Sequence, residues 1–401
     1  MLTETTRKMA SVQEIEKLSP IENSDFLETA EMKDLGWKVV VKKGEFHIGQ
    51  KVVYFEIDSM INVKDLLPCM EFLKNVSLKK LYTGKTPESS AFYEQYVKIK
   101  TIKLRGQISQ GLVIPLDTIA YEYPNKEDAP DFFHLPVDYD LTSLFNVEVC
   151  DRLLEWYDER SQLGPRACCH SSGSFPCDVP KTDEVRLESL MKYFHDPKMV
   201  DAEWECTEKN DGSSCTLFYR PKVWPEDPMR ISSRRFLLKD DGGSDDWFDA
   251  FKKIGWDDLK DRLHTLYSIG LVRKADGVQE FPVHHELAIQ GEMIGPKFNG
   301  NRDKNQESHF RVFRIFDITD QKFVTPDVRY MICEYLGLEH VKVLETCKIF
   351  QKLHTIDEFE AYVDRKSDNG NQIEGVVFKR IDNGEISFKK VSKKYLMKNG
   401  D

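Results

Sequence analysis

The stretch 204–219 constrains the fold more than any other part of the chain. β-Forming residues such as Trp204 and Tyr219 lie on both sides of a polar turn, Lys209-Asn-Asp-Gly-Ser-Ser214. Asn and Asp tolerate left-handed backbone and Gly supplies positive φ, so the segment predicts two strands that fold back through a tight turn. A lysine then ends the first strand, beside the carboxylate of Asp211. An isolated Lys-x-Asp-Gly is most often a surface hairpin, so its meaning depends on the rest of the chain.

Composition sets wide bounds on the class of protein. The 401 residues are 40% hydrophobic and 31% charged, which is long enough for two globular domains. No apolar run reaches the length of a membrane span, and we expect no signal peptide and no membrane partner. The nine scattered cysteines indicate a reducing, intracellular compartment, whether cytoplasm, nucleus or organelle.

The charge balance limits non-specific binding to nucleic acid. A formal net charge of −11 argues against a protein that coats nucleic acid, although a local basic groove remains compatible with it. The C-terminus offers a candidate run of basic residues, which are Lys389, Lys390, Lys393, Lys394 and Lys398. Such a run is usually a solvated face.

Short strands dominate the first part of the chain. Strand-like segments lie at 36–42, 51–58, 96–104 and 112–115. Five or so short strands in about a hundred residues predict a small closed β-barrel of the OB type. We therefore assign 1–116 to this barrel, 117–174 to a connecting segment and 175–401 to a second domain.

Strands and helices are interleaved in the second domain. Helix signals lie at 240–270, at Pro326 with a stop at Gly337, and at the capping box that begins at Thr355. A further helix is predicted from Lys181, with Thr182 or Asp183 as its N-cap. Strands are predicted at 231–238, 287–295, 311–318, 373–380 and 385–390. The second domain is therefore α+β, with mainly antiparallel sheet.

Four charged residues interrupt apolar strand-like runs. They are Lys209, Glu292, Glu374 and Lys389. Because an unpaired buried charge is costly, structural salt bridges explain any one of them as well as a functional site does. With Asp211 they provide two lysines and three carboxylates, a set that serves a nucleoside triphosphate with a divalent metal. The sequence has no P-loop motif, which argues against a P-loop enzyme.

Six short motifs follow one another in order. They are Lys209-Asn-Asp-Gly212, Ser233-Arg234, Gln290-Gly-Glu292, Phe316-Asp317, Glu374-Gly-Val-Val377 and Ser387-Phe-Lys389, across about 180 residues. The ordered set resembles the covalent nucleotidyltransferase superfamily, which comprises the ATP-dependent ligases of RNA and DNA and the mRNA capping enzymes. Six motifs in order are far more specific than any one of them.

The order of the domains narrows the resemblance. Twelve residues follow Lys389, so we expect no OB domain at the position where DNA ligases and capping enzymes carry one. The N-terminal barrel instead resembles that of the Naegleria/Deinococcus-type ATP-dependent RNA ligases, on the motifs Lys42-Lys-Gly-Glu45, Val53-Tyr-Phe-Glu-Ile-Asp58, Ile102-Lys-Leu-Arg-Gly106 and Ile108-Ser-Gln-Gly-Leu112. Residues 117–174 and 240–285 are outside the resemblance and look like expansions.

The resemblance implies catalytic and metal-binding roles. Lys209 is the nucleophile that attacks the α-phosphate of ATP to form lysyl-AMP, and Lys389 contacts that phosphate. A lysine amine needs help to attack at neutral pH, and Lys389 and a bound metal are expected to disfavour its cationic form. Asp211, Glu292 and Glu374 are expected to hold Mg²⁺ or Mn²⁺, largely through its waters.

The resemblance also implies nucleotide contacts. Phe316 stacks on adenine, and Glu208 reads its amino group. Arg234 contacts the ribose or the RNA, and Glu292 is also a candidate for the ribose hydroxyls. Arg186 is assigned to the β- and γ-phosphates, although an ordinary helix-surface arginine explains it at least as well.

The predicted reaction seals RNA. AMP passes to an RNA 5′-phosphate, and a 3′-hydroxyl then closes the strand, with nicked duplex RNA as the expected substrate and a monomer as the expected state. The barrel and the basic C-terminal run would follow the RNA backbone. Two alternatives remain open: another covalent nucleotidyltransferase, such as a DNA ligase or guanylyltransferase, and an inactive RNA-binding relative.

Overall fold

The computed structural model describes residues 7–22, 24–75, 95–123, 129–149, 171–181, 183–240, 245–273 and 279–399. The chain divides into two compact units. The first comprises Met1–Pro165 together with Met397–Asp401, and the second comprises Arg166–Leu396. None of the helices in the described ranges has the length and apolar character that a membrane crossing requires.

The first unit is mainly antiparallel β-sheet. Its described elements are β1 (Ala10–Pro20), β2 (Leu27–Met32), β3 (Lys38–Lys42), β4 (Lys51–Phe55), β5 (Ser59–Asn62), β6 (Tyr96–Lys98), β7 (Thr101–Leu104), β8 (Gln107–Gln110), β9 (Leu112–Pro115), β10 (Glu148–Val149) and helix α1 (Leu116–Glu122). Five strands form a sheet in the order β3-β2-β1-β4-β9, three form β10-β5-β6, and β7 pairs with β8.

Strand β1 joins two parts of this architecture. Its first half pairs with β4 and its second half with β2, and the register shifts between Ile15 and Lys17. Such a shift bends a strand, so one strand can pair on both sides of a curved sheet. Gly111 lies between β8 and β9 with φ +107°, and a Cβ there would come within 2.3 Å of the Tyr54 ring. A side chain at position 111 would therefore clash as well as strain the backbone.

The described part of the predicted connection, 117–123 and 129–149, belongs to the first unit. Ile119, Phe132, Leu141 and Phe145 are buried in its core. The backbone N–H of Leu141 donates to the carbonyl of Ala10, at 2.8 Å. Apolar residues spaced through an acidic, Pro-containing segment were enough to dock it, so the assignment of these residues to a linker is corrected.

The second unit contains most of the helices. Its described strands are β11 (Ser171–Ser174), β12 (Val185–Arg186), β13 (Trp204–Lys209), β14 (Ser213–Tyr219), β15 (Met229–Ser233), β16 (Phe236–Leu238), β17 (Leu271–Arg273), β18 (Gln279–Phe281), β19 (Leu287–Ile294), β20 (His309–Asp317), β21 (Lys322–Phe323), β22 (Glu339–His340), β23 (Val343–Cys347), β24 (Gly375–Arg380) and β25 (Ser387–Val391). Its described α-helices are α2 (Pro197–Val200), α3 (Asp245–Ile254), α4 (Trp256–Ile269), α5 (Pro326–Leu336), α6 (Ile349–Lys352), α7 (Ile356–Val363) and α8 (Lys393–Asn399).

Two sheets organise the second unit. The eight-stranded sheet has the order β11-β16-β15-β14-β19-β20-β21, with β22 also paired to β20, and the nucleophile sheet, named for Lys209, has the order β12-β25-β24-β13-β23. Strands β13 and β14 lie in different sheets and do not pair with each other. The predicted hairpin at 204–219 is therefore wrong in detail, because its turn crosses from one sheet to the other.

Each sheet buries one face against helices. On the eight-stranded sheet, Ile289, Met293 and Val312 join a core with α3, α4 and α5. On the nucleophile sheet, Trp204 and Phe378 join a core with α6 and α7. Because side chains alternate along a strand, the intervening polar residues lie on the opposite faces.

The helix predictions have different outcomes. The apolar stripe predicted as core in 240–270 is buried on α3 and α4, and its members are Phe248, Phe251, Leu259, Leu263 and Leu266. Gly337 ends α5 in the left-handed conformation, as predicted. The helix predicted from Lys181 is wrong, because Val185 and Arg186 pair in parallel with β25 and short 3-10 turns follow. Pairing with a neighbouring strand is a tertiary effect that local helix signals do not contain.

The basic C-terminal run is not a uniform solvated face. Lys390 is fully buried between Glu188 (2.8 Å) and Glu360 (2.6 Å). Lys394 pairs with Asp364. These lysines have carboxylate partners within the unit, so the expected role of the whole run in following RNA is not supported for them.

Candidate active site

The turn after Lys209 is held tightly against β19. A Cβ on Gly212 would come within 2.1 Å of the Met293 carbonyl oxygen, so only glycine fits there. Gly375, the cross-strand partner of Lys209, approaches β25 equally closely, since a Cβ there would come within 2.2 Å of the Lys390 carbonyl oxygen. These two glycines let the strand ends that carry Lys209 and Glu374 pack without side chains between them.

Lys209 lies in an acidic surrounding. Its Nζ is 2.6 Å from Glu374 Oε1, and its side chain is 24% exposed. Burial lowers the pKa of this amine, but the combined effect of Glu374, Glu292 and Glu184 raises it by more than burial lowers it. The net pKa is therefore above its ordinary value. The expectation that Lys389 disfavours the cation is not met without nucleotide and metal, because nearby carboxylates dominate.

The pKa of Glu292, which faces Lys209, is also shifted. Glu292 lies on β19, and burial raises its pKa to about 8; Lys209 opposes this shift, while Glu374 and Asp211 add to it. Glu292 and Glu374 thus share one ammonium group, and two further carboxylates, Asp211 and Glu184, act on this pair electrostatically. The structure brings Lys209, Glu292 and Glu374 together, as the sequence predicted.

Asp211 is engaged by other groups. Its carboxylate accepts from Arg302 Nη1 at 3.0 and 3.1 Å and from the hydroxyl of Tyr395. The Asn299 amide also donates to it. Both oxygens of the predicted metal ligand are therefore occupied by protein donors, and Arg302 lies 5.9 Å from the centre of the Tyr395 ring.

The donor set suits a divalent cation. Carboxylate oxygens are preferred ligands of Mg²⁺ and Mn²⁺. Burial raises the pKa of Glu292, Glu374 and Asp211 add to this effect, and a cation would balance the charge of these carboxylates. Among the described residues, one group of three potential metal ligands has its ligand atoms within 4.8 Å of one another. It consists of His285, Asp317 and Asp320 and is separate from the carboxylates around Lys209. Glu292 and Glu374 therefore fit a cation held through its waters, with Glu374 Oε1 also paired to Lys209, whereas Asp211 must first exchange Arg302.

Asp183 links two of the predicted nucleotide contacts. It pairs with Arg234 at 3.1 Å and with Lys389 at 3.4 Å. Lys389 is also the register partner of Arg186 across β12 and β25. The structure thus gathers Arg234 and Lys389 around one carboxylate, whereas Arg186 acts electrostatically on Glu188 and lies on a strand, not on the predicted helix.

Glu208 and Phe316 have different surroundings. Glu208 lines a cavity of about 300 Å³ with Asp303, Arg311 and Lys342, and burial raises its pKa above the ordinary value. Phe316 is 4% exposed and packs edge-on against Phe323 at 5.1 Å. The predicted roles of both residues in binding adenine remain predictions.

Lys379 lies at the site but was missed from the sequence. It is 3% exposed, on the same face of the nucleophile sheet as Lys209 and Lys389. Burial lowers its pKa to about 7, and Arg329 and Arg314 add to the effect. The alternation of side chains along β24 could have identified it, because Gly375, Val377 and Lys379 share one face of the sheet.

The comparisons agree with this architecture. A family model described as RNA ligase matches residues 202–395, and a model of an OB-fold domain matches residues 9–116. A variant of Naegleria gruberi RNA ligase with AMP and Mn is 26% identical, with a TM-score of 0.71, covering 98% of this chain and 100% of that one. A second variant, with ATP and Mn, is 27% identical at a TM-score of 0.70, covering 98% and 100%. The N. gruberi ligase with PPi is 27% identical at 0.69, covering 98% and 99%.

These matches define an RNA ligase domain that follows an OB-fold domain. The chain belongs to the RNA ligase family, of the type represented by the N. gruberi enzyme. The predicted OB-type barrel, the α+β ligase domain and the enzyme class are thereby confirmed. No curated protein gave a significant sequence match.

Proposed function

We propose that this ATP-dependent RNA ligase joins a 3′-hydroxyl to a 5′-phosphate at a nick in duplex RNA. The observation that carries the proposal is the position of Lys209, at a strand end between Glu374 and Glu292 and on the sheet face that also holds Lys389. The N. gruberi structures with AMP, ATP, Mn and PPi support a nucleotide and a divalent metal as ligands of the enzyme. ATP and Mg²⁺ or Mn²⁺ are therefore the co-substrate and metal.

In the first step, Lys209 Nζ attacks the α-phosphorus of ATP. A P–N bond forms, the bond to the bridging oxygen breaks, and pyrophosphate leaves. Glu374 Oε1, 2.6 Å from Nζ, is placed to accept the proton that the amine must lose. A divalent cation supplies positive charge against the phosphates and the carboxylates when bound.

The remaining residues position the nucleotide and the RNA. Lys389 binds the α-phosphate, and Asp183 holds Lys389 and Arg234 in place before the nucleotide arrives. Arg234 contacts the ribose or RNA, and Arg186 contacts the outer phosphates. Phe316 stacks on adenine, with Glu208 as a candidate for its amino group.

The two later steps use the same pocket. An oxygen of the RNA 5′-phosphate attacks the phosphorus of lysyl-AMP, and the Lys209 amine leaves. The 3′-hydroxyl then attacks the 5′-phosphate phosphorus, and AMP is released as the new phosphodiester forms. Preorganised charges around Lys209 serve all three transfers, because each builds negative charge on phosphoryl oxygens.

The OB-fold unit is proposed to contact the RNA backbone. The β7–β8 hairpin carries exposed Lys103 and Arg105 at its end, and Ile102 beside them is 40% exposed. Basic side chains bind phosphates without reading sequence. We further propose that the enzyme acts as a monomer inside the cell.

A nick-sealing assay tests the substrate. Duplexes with RNA or DNA on each side of a nick, carrying a labelled 5′-phosphate, should be sealed when the 3′-hydroxyl nucleotide is a ribonucleotide. Replacement of that nucleotide by its deoxy form should stop sealing. Equal sealing of both would contradict RNA specificity, and labelling of the protein from GTP alone would favour a guanylyltransferase.

Arg302→Met tests the assignment of Asp211 to the metal. The guanidinium of Arg302 competes for the carboxylate, and a charge-assisted hydrogen bond contributes roughly 1.5 kcal/mol or more. The half-maximal Mn²⁺ concentration for adenylylation should therefore fall by about tenfold, as measured in a metal titration. Arg262→Met, which removes a surface pair with Asp258 on α4, is the control. An unchanged metal requirement would remove Asp211 from the ligand set.

A further inference from the structure

Two buried polar side chains of the eight-stranded sheet lack hydrogen-bond partners. Gln290 on β19 is 2% exposed and Arg314 on β20 is 7% exposed. Within the described residues, Gln290 Oε1 and the Nε and Nη2 groups of Arg314 have no partner. Buried polar groups are nearly always paired in proteins, so one free acceptor beside two free donors requires an explanation.

The two residues are neighbours and still do not pair with each other. Gln290 and Arg314 are register partners across β19 and β20. Gln290 uses its Nε2 to donate to the carbonyl of Pro180 at 2.8 Å, and since that carbonyl can only accept, the amide orientation is fixed. The Gln290 oxygen and the Nε and Nη2 groups of Arg314 can therefore each hydrogen-bond a third group, while the partly buried Glu184 balances the charge of the guanidinium.

Both residues lie on the sheet face that also carries Ala288 and Phe316. Ile289 and Ile315 lie in the helix-packed core, so their chain neighbours Gln290 and Arg314 lie on the other face. Phe316 is two residues from Arg314 on that same face, and both contact Phe323, the guanidinium at 4.4 Å from the ring centre. Lys379 of the nucleophile sheet interacts electrostatically with Arg314, so the two sheets face each other here.

The free groups specify the chemistry of the ligand. A phosphate would satisfy Arg314 but would face the carbonyl oxygen of Gln290, which repels it. A heterocycle edge with a donor beside an acceptor satisfies both groups, and the adenine edge offers a 6-amino group next to a ring nitrogen. The neighbouring aromatic ring of Phe316 suits a planar base.

We propose that Gln290 and Arg314 read the adenine edge of ATP, with Gln290 Oε1 accepting from the 6-amino group and Arg314 donating to a ring nitrogen. Gln290 then replaces Glu208 as the residue that reads the amino group, because Glu208 lines a cavity whose lining includes neither Gln290 nor Arg314. The inference rests on the proposed function, because it gives the base specificity of the same nucleotide site. Both residues bind substrate directly and determine specificity, and neither moves a proton.

Equilibrium binding tests the pair without turnover. The Kd of ATP is measured by calorimetry on Lys209→Ala protein, which cannot form the adduct, alone and combined with Arg314→Met or Gln290→Met. Arg314→Met should raise Kd about tenfold, as expected for a lost charge-assisted hydrogen bond. Arg230→Met is the matched control, because Arg230 also stacks on a ring (Trp224, 4.6 Å) and also has an unpartnered Nε.

An analogue isolates the contact of Gln290. Purine riboside triphosphate lacks the 6-amino group and should bind several-fold more weakly than ATP to protein with Gln290. With Gln290→Met the two ligands should bind equally, a result that a general loss of packing does not produce. Melting temperatures identify any variant that fails to fold.

Two outcomes overturn the inference. If both variants keep the Kd of ATP within about twofold, ordered water satisfies the groups, and the pair does not read the base. If the analogue discriminates equally with and without Gln290, another residue reads the 6-amino group. Wild-type protein that binds ATP but acquires no label from it would instead contradict the proposed function, so the two failures are distinguishable.

Discussion

Lys209→Ala is expected to abolish sealing of RNA that carries a 5′-phosphate and to spare sealing of RNA already adenylylated at its 5′ end. The amine of Lys209 is needed to form and pass on the adenylyl group, whereas the last step uses the 3′-hydroxyl as nucleophile. The loss with 5′-phosphate RNA should be at least about a thousandfold, because no other group takes over a covalent nucleophile. Both reactions are followed by gel on the same nicked duplex.

The control is Lys222→Ala, which removes an exposed lysine of the same unit that donates to the carbonyl of His284. It should leave both reactions unchanged. If Lys209→Ala still seals 5′-phosphate RNA at the wild-type rate, Lys209 does not carry AMP. If it loses both reactions and melts much earlier, the residue is structural.

Loss of one partner of the buried pair Glu205–Arg329 is expected to destabilise the ligase unit by about 3–5 kcal/mol, because it leaves a buried charge uncompensated. The two side chains are 2% and 3% exposed, and Arg329 Nη2 lies 2.6 Å from both carboxylate oxygens. Tyr330 also donates to Glu205, and Arg329 Nε donates to His340 Nε2. The variants Glu205→Gln and Arg329→Met, measured by chemical denaturation, test this expectation.

The surface pair Arg380–Asp382 provides the control. Its separation is the same 2.6 Å, but Asp382 is 64% exposed, so Asp382→Asn should cost less than about 1 kcal/mol. Equal effects at the two sites would show that burial does not set the cost.

The same buried pair predicts a pH dependence. Burial raises the pKa of Glu205, but Arg329 and Lys379 lower it by more than burial raises it. The net pKa is therefore below its ordinary value. Its contribution to stability is therefore present above the unfolded pKa and is lost as pH falls through the folded pKa. Glu205→Gln should flatten the acid side of the stability profile.

The features that could be predicted from the sequence are those that depend on local residue patterns and on the order of the motifs. The strands that carry Lys209, Glu292 and Lys389 were placed correctly, since their apolar runs mark buried faces. Gly337 and Thr355 marked the end and start of helices, because their roles depend on local backbone geometry.

Tertiary contacts decided the rest. Strands β1 and β2 were missed, because their apolar alternation is weak, and the first half of β1 pairs with the more distant β4. Asp183 was expected to cap a helix. It instead pairs with Arg234 and Lys389, which are distant from it in the sequence. Lys390 was read as a surface charge, although two carboxylates 30 and 202 positions away bury it.

The most direct test of the account is the mass of the protein after incubation with ATP and Mn²⁺ without RNA, followed by peptide mapping. We expect one adenylyl group per chain, on the peptide that contains Lys209, released by acid and stable to alkali as a phosphoramidate is. GTP in place of ATP should leave the mass unchanged. An unmodified Lys209, or an adduct on another residue, would contradict the account.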